Sequence, residues 1–101
     1  MERILNNEEL GRLTEIYKLF GSIPRLRILL HLNKGECSAS DLSLACGLSQ
    51  SATSHQLKDL KQGKIIKSRK EGMNVFYSLD DNHIVQMLEN GIEHITGIHH
   101  E

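Results

Sequence analysis

Two short helical segments on either side of a tight turn, near the middle of the chain, constrain its fold more than any other feature. Ser38 and Asp41 are spaced to form a capping box at the start of a short helix, and Gly47 breaks that helix. Ser49 can then cap a longer helix over residues 50–62. Two helices joined by a glycine-containing turn are typical of a helix-turn-helix, which is the prediction for the centre of this chain.

Two further helices are predicted before this unit. Asn6-x-x-Glu9 can form a capping box for the first helix, and apolar residues follow at helical spacing. Pro24 suits the first turn of the second helix, which Gly35 ends. The second helix is apolar on most sides, so we expect it to lie at the centre of the core.

A strand pattern and one more helix follow the helix-turn-helix. Residues 64–69 and 74–79 have the composition of two strands, and residues 70–73 between them indicate a hairpin turn. A helix over residues 81–96 carries a single apolar stripe. The expected fold is mainly α with a small β-hairpin, a dimeric winged helix-turn-helix with the order α-α-α-α-β-β-α. We expect one small domain, residues 1–101, whose limited core would gain from dimerisation.

The charges of the chain are distributed unevenly, although they nearly cancel. The formal net charge of −1 indicates no partner by itself. Residues 49–70, however, hold six basic residues and one acid, whereas residues 80–101 hold five acids and no Lys or Arg. The first region suits a polyanion and the second suits cations. Neither a signal-peptide pattern nor an apolar run of about 20 residues is present, so we expect a cytoplasmic protein without a membrane partner.

The first two turns of the predicted fourth helix carry short polar side chains. Gln can pair with adenine, Ser and Thr can contact bases or phosphates, and small side chains allow close approach to the floor of a groove. Lys58 and the basic residues of the hairpin, which include Lys67 and Arg69, can contact phosphates. The alternative is a solvated helix face followed by an ordinary basic hairpin. In combination with the predicted hairpin of residues 64–79, which would be the wing of a winged helix, the pattern predicts binding to double-stranded DNA.

Histidines are concentrated at the end of the chain in a pattern that indicates metal binding. Four of the six histidines lie in the last nineteen residues. If residues 81–96 are helical, His83 and His94 share one face but lie ~16 Å apart along the axis. One ion with ~2 Å bonds to its ligands cannot reach both. Two antiparallel helices could place His83 of one chain beside His94 of the other, so the spacing predicts metal sites between the subunits of a symmetric dimer.

With these motifs the chain resembles the ArsR/SmtB family of metal-responsive bacterial repressors over essentially its whole length. The resemblance rests on Pro24-Arg25-Leu26-Arg27-Ile28-Leu29, residues 48–58, Gly72-x-x-Val75-x-Tyr77-Ser78-Leu79 and Asp81-x-His83. It implies a homodimeric winged helix with the first and last helices at the dimer interface. It also implies a repressor of metal efflux or sequestration operons that releases operator DNA when metal binds. The base or phosphate contacts that it implies are Gln50, Ser51, Ser54 and His55.

Family members hold metal at different positions, and the resemblance favours one of two positions here. The site in the third helix uses the pattern Cys-x-Cys-Asp-Leu, but both cysteine positions are serines in this chain, Ser38 and Ser40. The site between the terminal helices uses Asp-x-His from one chain, and then His and a further His or Glu three residues later from the other. Asp81, His83 and His94 match this second pattern.

The fourth ligand position of the second site is Gly97, which has no side chain. Gly97 can end the helix in a left-handed turn, after which His99 or His100 could reach the metal. Glu101 or a water molecule is the alternative ligand. Imidazole and carboxylate ligands favour zinc, nickel or cobalt over softer ions. Zinc is the first choice and nickel or cobalt the alternative. In the opposing interpretation, Asp81 only caps the helix and the histidines are incidental.

Two other functions stay open at this point. A winged-helix regulator without metal, controlled by redox state or a partner protein, would bind DNA equally with and without zinc. A small metal-dependent hydrolase would need an open coordination position and a general base in a cleft. The sequence indicates neither an open coordination position nor a general base, so we expect no enzyme and no small organic substrate. Cys37 and Cys46 are too few for a disulfide framework and are expected to be small, partly buried residues.

Overall fold

Five helices and three strands make up the part of the chain that the computed structural model describes, residues 4–97. In order, they are α1 (Asn7–Phe20), α2 (Ile23–Lys34), β1 (Cys37–Ser38), α3 (Ala39–Cys46), α4 (Gln50–Gln62), β2 (Ile66–Glu71), β3 (Asn74–Leu79) and α5 (Asn82–Thr96). Apart from β1, this is the predicted order of elements. Within residues 4–97, every helix is too short or too polar to cross a membrane.

Side chains at the helix ends explain why the helices begin and end at these positions. Asn6 and Glu9 form the predicted capping box: Asn6 Oδ1 accepts a hydrogen bond from Glu9 N at 2.8 Å, and Glu9 Oε1 accepts one from Asn6 N at 3.1 Å. Ser49 caps α4, where its Oγ accepts a hydrogen bond from Ala52 N at 3.1 Å. Gly47 ends α3 in the left-handed conformation, with φ of 66°. The turn between α3 and α4 is therefore specified locally.

The core is built around α2, as its apolar composition predicts. Ile28 and Leu29 of α2 are completely buried. Other elements contribute buried apolar side chains to the same cluster: Leu42, Cys46, Leu57, Leu60, Ile65, Ile66, Leu79, Ile84 and Leu88. Helix α1 contributes no fully buried residue, so it packs on the outside of the domain.

A three-stranded antiparallel sheet takes the place of the predicted two-stranded hairpin. The additional strand β1 has only two residues and pairs with β3, with Cys37 opposite Tyr77, so the strand order is β1-β3-β2. A two-residue strand is too short to show the alternation on which strand prediction depends.

The first strand of the hairpin lies two residues later than predicted. Lys64 adopts a positive φ of 60°, and Ile65 N donates a hydrogen bond to Leu60 O, so both residues belong to the turn that closes the end of α4. Strand β2 then extends to Glu71, and the turn that begins at Gly72 has two residues instead of four.

Candidate nucleic-acid interface and metal half-sites

The recognition helix α4, the second helix of the helix-turn-helix, has two faces of different chemistry. Thr53, Leu57 and Leu60 are buried against the rest of the domain. The structure exposes all five of the predicted DNA contacts on this helix: Gln50, Ser51, Ser54, His55 and Lys58. This polar surface can approach a groove of DNA while the opposite face of the helix stays packed in the core.

A buried pair of hydroxyl groups joins α3 to α4. Ser43 Oγ donates a hydrogen bond to Thr53 Oγ1 at 2.9 Å, and Thr53 Oγ1 donates one to the backbone oxygen of Ser49 at 2.9 Å. Because both side chains are buried, these bonds offset the cost of removing the hydroxyls from water. The pair therefore helps to fix the angle of the helix-turn-helix. Sequence patterns do not reveal it, since Ser and Thr in polar helices give no sign of burial.

Both predicted DNA contacts of the wing are exposed, and one of them, Arg69, is hydrogen-bonded to carboxylates. Lys67 is exposed on β2. Arg69 donates two hydrogen bonds of 2.7 Å to Glu36 and another to Glu71, and its guanidinium carbon lies 5.0 Å from the centre of the Phe76 ring. The hydrogen bonds lower the pKa of Glu36 and raise the pKa of Arg69, so both groups stay charged. The pairing of Glu36 with Arg69 could not be predicted from the sequence, because Glu36 lies far from the wing along the chain.

Asp81 caps α5 with one carboxylate oxygen and faces His83 with the other. Oδ1 accepts hydrogen bonds from the backbone nitrogens of His83, at 2.9 Å, and Ile84, at 3.2 Å. Oδ2 lies 3.5 Å from His83 Nδ1. The bond from Ile84 N is the main cause that lowers the pKa of Asp81. An ionised carboxylate oxygen and an imidazole nitrogen therefore lie side by side on the exposed surface.

His94 lies near the other end of α5 and does not join this pair within one chain. Both histidines are exposed. Eleven helical positions separate them by ~16 Å along the axis. In residues 4–97, no group of three or more His, Cys, Asp or Glu side chains is placed to hold a metal ion. Gly97 ends α5 with a left-handed φ of 72°, as predicted. The other candidate ligands lie outside the described residues: His99, His100 and Glu101.

Helices α1 and α5 expose apolar side chains that a monomer would leave in water. Leu10, Leu13 and Tyr17 are exposed on α1, and Ile95 on α5 is 81% exposed. An apolar groove of about 340 Å³ is lined by residues of α1, α2 and α5. Large exposed apolar patches typically mark an interface. These are the two helices that were predicted to form the dimer interface.

The two cysteines are free thiols withdrawn from solvent. Cys46 is buried at the end of α3, and Cys37 is half-buried on β1, which confirms the expectation for both residues. Burial raises the pKa of each thiol, so each is kept in its protonated and less reactive form at neutral pH.

Similar proteins place the chain in a family. Residues 24–68 match the family model described as "bacterial regulatory protein, arsR family". The chain is 32% identical over 92 residues to the transcriptional repressor SmtB homolog of Synechocystis sp., which covers 91% of this chain and 70% of that protein. It is 36% identical over 81 residues to the cadmium resistance transcriptional regulatory protein CadC homolog of Staphylococcus aureus, which covers 79% of this chain and 67% of that protein.

A solved structure shows the same fold. The homodimeric winged helix-turn-helix DNA-binding domain from Mycobacterium bovis superimposes with a TM-score of 0.81 and 23% identity, over 100% of this chain and 99% of that chain. The predicted winged helix-turn-helix is thus confirmed. The chain belongs to the ArsR/SmtB family of bacterial regulatory proteins, and it is a transcriptional regulator rather than an enzyme.

Proposed function

We propose that this protein is a metal-responsive repressor, which binds operator DNA as a homodimer and releases it when a metal ion binds between the two copies of α5. The observation that carries the proposal is the division of one ligand set between the ends of a helix. Asp81 and His83 are adjacent at the first turn of α5, and His94 lies near its last turn. The names of two relatives, a repressor and a cadmium resistance regulator, support this class of function.

The DNA-binding part of the proposal depends on α4 and the wing. Two copies related by a two-fold axis would present both recognition helices to a palindromic operator. We assign the contacts to seven residues: Gln50, Ser51, Ser54, His55, Lys58, Lys67 and Arg69. The Arg69 charge is shared with two carboxylates, so we expect it to contribute less to phosphate binding than Lys67 does.

The donor atoms on α5 suit a transition metal of intermediate softness. Asp81 offers Oδ2, which the helix cap does not use, and His83 and His94 offer imidazole nitrogens. Oxygen and imidazole donors favour zinc, nickel or cobalt. The two positions at which thiolates would bind softer ions are Ser38 and Ser40. Zinc is the first choice of metal, with nickel or cobalt as the alternative.

The fourth ligand has to come from beyond the helix or from solvent, because Gly97 offers no side chain. We propose His99 or His100, with Glu101 or water as the alternative. Substitution of cobalt for the native metal tests this point, since the visible absorption of the ion distinguishes tetrahedral from octahedral coordination.

Metal binding can release DNA only if the subunit arrangement that binds metal most tightly differs from the arrangement that binds the operator most tightly. A bound ion would supply a cross-link between the terminal helices of the two chains. His83 of one chain and His94 of the other can share that cross-link only when opposite ends of the two α5 helices meet, so occupancy selects among subunit arrangements. By reciprocity, operator binding weakens metal binding by the same factor.

Mixed dimers test whether each site takes ligands from both chains. We expect His83→Ala and His94→Ala each to keep operator binding and to lose the response to zinc. In a dimer that contains one chain of each variant, the unmutated His83 and the unmutated His94 belong to different chains and meet at one of the two sites. Half of the wild-type zinc stoichiometry should therefore return, as measured by titration of a heterodimer purified through two different affinity tags.

The controls separate the metal site from the rest of the proposal. A site within one chain predicts no recovery, since every chain of the mixed dimer lacks one histidine. Absence of recovery together with normal operator binding would contradict the site and leave the DNA-binding function standing. His31→Ala removes a histidine on α2 that the proposal does not use as a ligand, and it should leave the zinc response intact.

No structural observation favours the redox-controlled alternative. Both thiols are withdrawn from solvent and their pKa values are raised by burial, whereas reactive cysteines have lowered pKa values.

A further inference from the structure

The guanidinium group of Arg25, which the surfaces described above do not use, joins three helices. Its Nε donates a hydrogen bond to the backbone oxygen of Leu19 at 3.0 Å, and its Nη2 donates one to that of Lys18 at 3.3 Å. Its Nη1 donates a hydrogen bond to Gln56 Oε1 at 3.1 Å. Lys18 and Leu19 lie in the last turn of α1, Arg25 in the first turn of α2, and Gln56 in the middle of α4. One planar group therefore connects α1 directly to the recognition helix.

This connection matters because α1 packs against the core only through partly buried side chains, those of Ile16, Leu19 and Phe20. Backbone oxygens in the last turn of a helix lack partners within that helix. Arg25 donates to two of them, those of Leu19 and Lys18, and the Lys18 oxygen also accepts a hydrogen bond from Gly21 N at 3.1 Å. Helix α1 has no fully buried residue, so core packing restrains it less than the other helices. The Arg25 hydrogen bonds thus add a directional restraint on the angle between α1 and the domain to this apolar packing.

A second contact joins α1 to α4. Gly63, which ends α4, lies so close to Leu19 that a Cβ atom on Gly63 would be 2.2 Å from Leu19 Cδ1. Gly63 has φ of −79°, which any residue can adopt, so a larger residue here would only require the Leu19 side chain to move away from α4. The end of α1 is therefore connected to α4 at two places. Leu19 contacts the end of α4, and Arg25 links the last turn of α1 to the middle of α4.

We infer that Arg25 is a positioning residue that sets the angle between α1 and α4, and thereby the distance between the two recognition helices of the dimer. This inference rests on the proposed function, because it concerns a dimer held by α1 and α5 on operator DNA. Helix-turn-helix dimers read half-sites about 34–36 Å apart or at multiples of this distance, so a change of angle between the dimer helix and α4 changes the spacing that fits. The specificity that Arg25 determines is for half-site spacing and not for bases.

The test compares the spacing preferences of the wild-type dimer and an Arg25→Lys variant. A duplex is first selected from random sequences by the wild-type dimer without added metal, and its half-sites are then moved in steps of one base pair. Lysine keeps the charge but cannot reproduce the planar arrangement of donors. We expect the preference for the best spacing over its neighbours to fall about tenfold in the variant, which corresponds to the loss of one hydrogen bond to a charged group.

Two further variants make the result specific. Arg27→Lys is the matched control, because Arg27 is exposed two residues further along the same helix, and its spacing preference should equal that of the wild type. Gln56→Leu removes the acceptor on α4 and leaves the bonds from Arg25 to α1, so it tests the connection even if Arg25→Lys does not fold. We expect Gln56→Leu to weaken the spacing preference with unchanged helix content and dimer mass.

Either of two results would overturn the inference and leave the proposed function standing. One is an equal reduction of affinity at every spacing, which indicates that the substitution removes an interaction with DNA or lowers stability. The other is an unchanged spacing preference in both Arg25→Lys and Gln56→Leu. If the wild-type dimer selects no duplex at all, the proposed function fails, and the inference fails with it.

Discussion

The recognition helix α4 and the last helix α5 differ in how much of their chemistry one chain can complete. Helix α4 presents its predicted DNA contacts on one exposed face, and its other face is fixed by buried residues such as Leu57 and Thr53. Helix α5 carries Asp81 and His83 at one end and His94 at the other, too far apart for one ion. The proposed DNA-reading surface is thus formed within one protomer, whereas the proposed metal site needs two protomers.

This difference indicates that a metal ion would act on the arrangement of the two protomers and not on the fold of either one. Under the proposed function, a metal that bridges two chains would change how the protomers are arranged and would leave the helix-turn-helix itself intact. Operator affinity then depends on subunit arrangement, and the two properties should respond to different substitutions.

The largest expected effect concerns the buried side of α4. Leu57 is 2% exposed, so Leu57→Ala should lower the free energy of unfolding by about 2–5 kcal/mol through reduced burial and a residual cavity. Urea denaturation measures this. The matched control is Leu44→Ala on α3, where the side chain is 83% exposed and the change should stay within about 0.5 kcal/mol. Equal losses in the two variants would contradict the assignment of a rigid, buried face.

Substitutions at Asp81 sharpen the comparison on the side of α5, because they separate the helix cap from the metal ligand. Asparagine can still cap α5, so Asp81→Asn should keep nearly wild-type stability and weaken zinc binding. Asp81→Ala also loses the helix cap, so it should lower the free energy of unfolding by about 1 kcal/mol more than Asp81→Asn does. Thermal unfolding and zinc titration of both variants provide the measurement. Equal destabilisation by Asn and Ala would show that the hydrogen bonds to Oδ1 do not stabilise the helix.

Salt dependence tests the DNA side of the comparison. Lys67→Gln should make the slope of log K against log salt less steep by about 0.9 for each phosphate that the lysine neutralises in the wild type. Arg69→Gln should change the slope less, because Glu36 and Glu71 share the charge of Arg69. Operator binding measured at several salt concentrations gives both slopes. An equal change would mean that Arg69 leaves its carboxylates when DNA binds.

The smallest expected effect is a pH dependence confined to the wing. The hydrogen bond from Arg69 holds the pKa of Glu36 below its ordinary value of 4.5, so the folded state favours the charged form. The stabilisation is therefore complete above pH 4.5 and is lost as the pH falls through the lowered pKa. An NMR titration of the Glu36 carboxyl checks this, and Arg69→Gln should return the pKa to its ordinary range. A pKa that stays low in that variant would contradict the stated cause.

The helices could be predicted from the sequence because their ends are specified by neighbouring residues. The Asn6–Glu9 capping box and the left-handed Gly47 act over a few positions, so the pattern contains the whole cause. The bounds of β2 were wrong because hydrogen bonding at the end of α4 uses Ile65, which looks like a strand residue in isolation. Strand β1 depends entirely on its partner β3 and leaves no pattern of its own.

The interactions that organise the candidate sites could not be predicted, because they join distant parts of the chain. Arg69 binds Glu36, thirty-three positions away, and Arg25 binds Gln56, thirty-one positions away. The pairing of His83 with His94 across two chains could be proposed from spacing, since the distance between two positions of a helix is fixed by its geometry. The other candidate ligands came from the resemblance to the family. How two copies of α5 meet depends on a second chain, which no pattern within one chain specifies.

The placement of His83 and His94 at opposite ends of one helix has a consequence for the sensitivity of the proposed sensor. A site assembled from two chains exists only in the dimer, so at concentrations where dimer and monomer are in equilibrium its apparent metal affinity rises with the abundance of the protein. A cell that made more of this chain would lower the free metal concentration at which half of the sites are filled. The response threshold is then a property of expression level as well as of ligand chemistry.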